Sequence, residues 1–162
     1  MNAPERWVLI DGYNLIHRDT AAAAGLQGGR LFEARRRLVR RIESLAPQLG
    51  SRVTIVFDGR ETGGPDPETP AGPVEVVFSP AHVSADTWIE RTAHLHAARA
   101  PMLVVTSDRL ERDAVAAAGA DTMGCGDFLD LCGRLEQALA SSIRRPAPPA
   151  ARRTLGDVFP PS

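Results

Sequence analysis

Three aspartates, Asp11, Asp58 and Asp108, each follow a short apolar run: WVLID, RVTIVFD and MLVVTSD. An apolar run bounded by a turn signal reads as a buried strand, so each carboxylate falls where a strand leaves the core. A fourth, Asp86, sits early in SADTWIERTAHLHAAR, with Glu90 one helical turn later. Carboxylates gathered at one place raise one another's pKa and call for compensation, which a divalent cation supplies most simply. All-oxygen surroundings suit magnesium or manganese better than zinc. Magnesium keeps several waters and takes phosphate oxygens, so the expected chemistry is metal-assisted hydrolysis of a nucleic-acid backbone. Asp11, Asp86 and Asp108 are the candidate metal ligands. With Asn14, three residues after Asp11, they form the candidate catalytic set; Asp58, Glu90 and Ser107 are accessory candidates.

Each of these residues also has a plainer reading. Asp11-Gly12 is an ordinary turn dipeptide. Asp86, two residues after the plausible N-cap Ser84, answers equally to compensation of a helix dipole. What favours chemistry is recurrence, because three strand-like runs deliver a carboxylate at the same end.

The elements needed to position them follow from periodicity. After the first strand, Arg18 to Gly29 reads as a loop. From Arg30 to Ala46, Leu31, Ala34, Leu38, Ile42 and Leu45 return at helical spacing, and Pro47 is expected to help stop the helix. Its other face carries Arg36, Arg37 and Arg40, flanked by Arg35 and Arg41; this is either a solvated face or a phosphate-contacting one. Gly59 to Pro73 reads as a mobile surface loop, Val74 to Phe78 as a short strand, and Ser84 to Arg99 as a helix facing the sheet with Trp88, Ile89, Thr92, Leu95 and His96. His96 is expected to be core or semi-buried and His94 solvent-facing. Pro101 to Asp108 is the fourth strand and Arg109 to Ala118 a helix. A short strand, Ala120 to Met123, follows, and Asp127 is expected to cap a last helix from Phe128 to Ser142. Strands alternating with helices imply a parallel sheet covered on both faces. If the chain winds outward from the first strand and returns to place the fourth on its other side, Asp11 and Asp108 face each other at the switch point.

Composition narrows the function further. All 19 basic residues are arginine and none is lysine. That removes a P-loop enzyme, a kinase fold and a phosphoacceptor receiver domain in their usual forms, since each depends on a lysine. A haloacid-dehalogenase-like site needs a second acid two residues after the first, where Tyr13 stands. Cys125 and Cys132 lack the spacing and partners of a zinc site and read as reduced thiols. No apolar run approaches the roughly 20 residues of a membrane span, and MNAPERW carries no signal-like segment, so the expected address is cytoplasmic with no membrane partner. Residues 1–142 are read as one domain, and 143–162, rich in Pro and Arg, as a flexible tail.

DGYNLIH, the FDG after the second strand, SADTWIE and VVTSDR resemble, together and in order, the NYN branch of the PIN-like nucleases, and within it the YacP-like NYN proteins. The resemblance runs from Trp7 to about Gly133. It implies a PIN-like (Rossmann-like) three-layer α/β fold with a central, mostly parallel five-stranded sheet. It further implies a Mg2+ or Mn2+ site, and endonuclease action on single-stranded RNA, in some members on messenger RNA at the ribosome. Asp11, Asn14, Asp86 and Asp108 fall on its motif positions, with Asp58 as an accessory. Gly124, Cys125 and Gly126 depart from the serine-containing turn common there. The competing expectation is a nuclease-like module that binds RNA or ribosomes without cutting, its carboxylates serving as helix caps or a structural metal site.

Overall fold

The structure, a computed structural model, describes residues 3–19, 31–59 and 72–144. Most of both expected loops and all but two residues of the expected tail lie outside them. In chain order the elements are β1 (Trp7–Asp11), α1 (Gly12–Arg18), α2 (Leu31–Leu49), β2 (Arg52–Phe57), β3 (Glu75–Phe78), α3 (Ala85–His96), β4 (Met102–Val105), α4 (Arg109–Ala117), β5 (Asp121–Met123) and α5 (Cys125–Arg144). The five strands form one sheet in the order β3-β2-β1-β4-β5, parallel at every pairing. The chain therefore reverses direction beside β1, and Ile10 pairs with Val105 of β4 at the reversal.

The near-continuous apolar runs make sense in such a sheet, because crossover helices cover both faces. On one face Val8, Ile10, Val53, Ile55 and Phe57 pack with Leu38, Ile42 and Leu45 of α2 and with Phe128 and Cys132 of α5. On the other, Leu9, Val56 and Val104 pack with Ala85, Ile89 and Ala93 of α3 and Val115 of α4. Successive residues of β1 thus feed opposite cores, the period-2 alternation of a strand.

Several boundaries differ from the sequence reading. Gly12 does not open a turn: α1 starts there, directly after β1, with Asp11 as its N-cap. Among the described residues only Gly119 has positive φ, so Gly12 is needed for space. A Cβ on it would collide with the Phe57 ring and stand 3.0 Å from Ile55 Cγ2. Helix α2 runs past Pro47 to Leu49, because buried Leu45, Ala46 and Leu49 continue its apolar stripe. Helix α3 buries Ala85, Ile89, Thr92 and Ala93, whereas Leu95 is 66% exposed and His96 is exposed with its ring edge-on to Trp7. Small alanines permit close approach to the sheet on that side and rotate the bulkier residues outward. Helix α5 begins at Cys125, which puts Asp127 inside its first turn and not at its cap.

Candidate functional site

The crevice lies beyond the carboxyl ends of β1 and β4, the position where open α/β sheets bind ligands. Asp11 ends β1, and its Oδ1 accepts from the Asn14 backbone N–H at 3.2 Å. Asp108 caps α4, its Oδ1 accepting from Leu110 N at 2.9 Å and Glu111 N at 3.2 Å. Asp86 enters from the first turn of α3, where Ser84 is the N-cap and accepts from Thr87 N.

Asn14 and Ser107 tie the two halves of the crevice together. Asn14 Oδ1 accepts from Ser107 N at 2.8 Å and from the Cys125 thiol at 3.3 Å, and Ser107 Oγ accepts from Cys125 N at 3.1 Å. With its carbonyl oxygen engaged in this way, Asn14 keeps its Nδ2 donors for a carboxylate or phosphate oxygen. Cys125 is a free, buried thiol, as is Cys132. Burial pushes both thiols up, Cys132 to about 11.

The residue that sequence reasoning missed is Glu111. It is only 2% exposed, and its Oε2 accepts from Thr106 Oγ1 at 2.7 Å, while Oε1 has no hydrogen-bond partner among the described residues. Burial raises its pKa to about 8; the Thr106 hydrogen bond opposes the rise, and the charges of Asp11, Asp86 and Asp108 add to it. Glu111 therefore senses the charges of three carboxylates, from β1, α3 and the cap of α4. A signal was present in the sequence, since Asp108 and Glu111 have the spacing of a capping box. In that motif the glutamate reaches back to the cap N–H, but here Asp108 N donates to Thr106 Oγ1 at 3.2 Å and Glu111 turns into the interior.

Other expected residues stand farther out. Asp58 follows β2, on the opposite side of β1 from β4, and is half-buried. Glu90 lies one turn beyond Asp86 and is also half-buried. On α2, Arg37 and Arg40 are exposed and Arg36 half-buried, lining a shallow groove with Phe32 and Glu33. The flanking arginines are committed elsewhere. Arg35 is buried beside Tyr13, and Arg41 pairs with Glu136 at 2.6 Å and Asp19 at 3.4 Å; its hydrogen bond to Glu136 raises its pKa.

Among the described residues, no three His, Cys, Asp or Glu side chains converge closely enough to hold one ion as they stand. The donor chemistry nevertheless fits a hard divalent cation: carboxylates from three elements act electrostatically on the buried Glu111 carboxyl, one oxygen of which has no hydrogen-bond partner among the described residues. No helix of the described residues is long and apolar enough to cross a membrane.

The family model for the YacP-like NYN domain matches residues 8–157. That span is longer than the Trp7–Gly133 resemblance and reaches into the Pro- and Arg-rich segment. The Bacillus subtilis (strain 168) protein described as uncharacterized protein YacP is 28% identical over 139 residues, 85% of this chain and 81% of that one. Crystal structures of Rae1 (YacP) from Bacillus subtilis superpose with a TM-score of 0.69 for the W164L mutant, over 86% of this chain and 82% of that one. For Rae1 without that substitution the score is 0.66, over 89% and 80%, both at 26% identity. Ordered motifs, strand order and a match along most of the sequence agree: the chain belongs to the YacP-like NYN domain family, in the PIN-like nuclease group.

Proposed function

We propose that this protein is a divalent-metal-dependent endoribonuclease that hydrolyses phosphodiester bonds of single-stranded RNA, with messenger RNA at the ribosome as its setting. The observation that carries the reading is Glu111, buried, with one oxygen lacking a hydrogen-bond partner among the described residues, and under the electrostatic influence of Asp11, Asp86 and Asp108. A buried carboxyl whose pKa is raised by burial and by neighbouring carboxylates is characteristic of a functional site. Membership of a family of generally metal-dependent nucleases adds support.

Asp11, Asp86 and Asp108 would hold Mg2+ or Mn2+, with Glu111 behind them. A bound ion would acidify an attacking water and stabilise charge on the phosphate. Asn14 Nδ2 donates toward a non-bridging phosphate oxygen, its orientation fixed by the bonds from Ser107 and Cys125. Ser107 holds that asparagine and the start of α5 in register. Asp58 and Glu90 sit at the margins, where they would act through water or neighbouring carboxylates. Arg36, Arg37 and Arg40 supply phosphate contacts along the strand leading away from the crevice.

A second reading, an RNA- or ribosome-binding module without catalysis, is favoured by one specific observation. Asp11 and Asp108 both act as helix caps, and the carboxylates do not converge. Asparagine also caps helices well, so Asp11→Asn and Asp108→Asn remove charge while keeping an acceptor. On the catalytic reading, each lowers cleavage of an unstructured RNA in Mg2+ or Mn2+ by at least about a hundredfold while leaving thermal stability and RNA binding in place. Binding without cleavage by the unmodified protein would establish the second reading instead.

A further inference from the structure

Helix α2 carries an exposed aromatic side chain that the acidic crevice does not use. Phe32 is 37% exposed, in contrast to the buried Phe57 and Phe128. Single exposed apolar residues are common and mean little alone. Phe32, however, forms one wall of a groove of about 370 Å3 whose other lining residues are Glu33, Arg36, Arg37 and Arg40, a volume within the roughly 300–1,000 Å3 of small-ligand sites. Among its described lining residues, three guanidinium groups accompany one carboxylate. The Arg36 guanidinium stands 5.5 Å from the Phe32 ring centroid and that of Arg35 6.0 Å, so the ring is braced from its own helix.

Behind the groove lies a second charge. Arg35 is 9% exposed, and its guanidinium stands 5.4 Å from the Phe78 ring and 6.0 Å from that of Phe57. It donates to the Tyr13 hydroxyl at 3.5 Å and makes no ion pair among the described residues. A buried cation without a carboxylate partner is expensive, and aromatic faces offset only part of the cost. Its field adds to that of the groove. Phe57 and Phe78 are the last residues of β2 and β3, so this aromatic and basic surface lies at the carboxyl end of the sheet, the same end as the crevice.

An aromatic face flanked by arginines is how proteins hold single-stranded nucleic acid without reading its sequence. We infer that Phe32 is a nucleobase-stacking platform, with Arg36 and Arg40 on the adjacent phosphates, seating one nucleotide of a single-stranded RNA whose scissile bond lies in the crevice. This inference rests on the nuclease reading and supplies it with a substrate-positioning subsite.

The test measures fluorescence anisotropy of a labelled, unstructured short RNA, and of the same RNA with abasic riboses, against the full chain carrying Asp11→Asn to prevent cleavage. Phe32→Ala is expected to weaken binding of the base-bearing RNA by at least about fivefold, with Phe32→Trp restoring it. The abasic RNA should bind Phe32→Ala and the Phe32 protein alike. Arg36→Gln with Arg40→Gln should lower the salt slope for both RNAs, whereas Phe32→Ala should leave it unchanged. RNA binding that is indifferent to Phe32, or weakened equally for both RNAs, overturns the platform and leaves the nuclease reading standing. Failure of the Phe32 protein to bind RNA at all overturns both.

Discussion

Replacing Glu111 by glutamine tests whether the buried carboxyl carries a proton at neutral pH. Its pKa rises from an ordinary 4.5 to about 8, first through burial and then through the charges of Asp11, Asp86 and Asp108. Below about pH 4.5 the folded and unfolded chains both carry the proton, and the group contributes nothing to pH dependence. Between there and about pH 8 the unfolded chain is ionised while the folded chain holds its proton, so stability falls as pH rises. Above about pH 8 both are ionised and the slope vanishes. At roughly 1.4 kcal/mol per unit, the loss between about pH 5 and pH 8 is at most about 4 kcal/mol, a large share of a typical domain's roughly 5–15 kcal/mol.

Glutamine keeps the volume and the acceptor for Thr106 Oγ1 but cannot ionise. Whatever the unpartnered position costs, at roughly 1–3 kcal/mol, is common to protonated glutamate and glutamine and does not vary with pH. The quantity to measure is therefore the difference between the two proteins, by urea unfolding in a chelator-containing buffer across pH 5 to 8. Near pH 5 they should be close in stability. By pH 8 the variant should be the more stable, by an amount up to that ceiling. Parallel pH profiles would refute the argument, showing that Glu111 is either solvated or ionised in the folded protein.

Asp108→Ala removes an acceptor for two backbone N–H groups and should cost about 1 kcal/mol, against a few tenths for Asp108→Asn, read by thermal denaturation. Gly12→Ala drives a methyl into the Phe57 ring between α1 and β2 and should cost roughly 1–3 kcal/mol through overpacking; a midpoint within error of the unmodified chain would contradict that contact. Cys125 and Cys132, buried and with their thiols pushed up, should resist a thiol-modifying reagent at pH 8 in the native protein and react at once in denaturant.

Strand positions were legible because four apolar runs each end at a charged or turn-forming residue, whereas the reversal beside β1 was foreseen only as one winding open to the chain. That pattern depends on local sequence and on a sheet covered on both faces. The helix α1 was not legible, since seven residues beginning Gly-Tyr-Asn look like a turn until the cap geometry of Asp11 is seen. Arg35 and Arg41 were placed on the flanks of a basic face by their angle around α2. What removes them from it is tertiary: the aromatic rings of β2 and β3 for one, and Glu136, 95 residues away, for the other. Leu95 and His96 fall on the predicted inner arc of α3, but Ala85 and Ala93 set how closely the helix approaches the sheet and so which edge of that arc is covered. Glu111 escaped for a related reason. Three residues after a capping aspartate, a glutamate reads as part of a surface cap, and only the position of Thr106 at the end of β4 turns it inward.

On the proposed reading, the capping and acidic roles of the crevice draw on the same atoms, which accounts for carboxylates that do not converge among the described residues. Asp11 and Asp108 sit where a strand gives way to a helix, so their oxygens meet backbone N–H groups as soon as the chain folds. On the proposed reading a divalent cation would compete with those caps, at about 1 kcal/mol for each cap displaced. Among the described residues Glu111 Oε1 has no such bond to surrender. Substitution by asparagine at the two caps therefore reports on charge with the helices held in place. Substitution by glutamine at Glu111 reports on the buried proton, and agreement between the two series would tie both effects to one site.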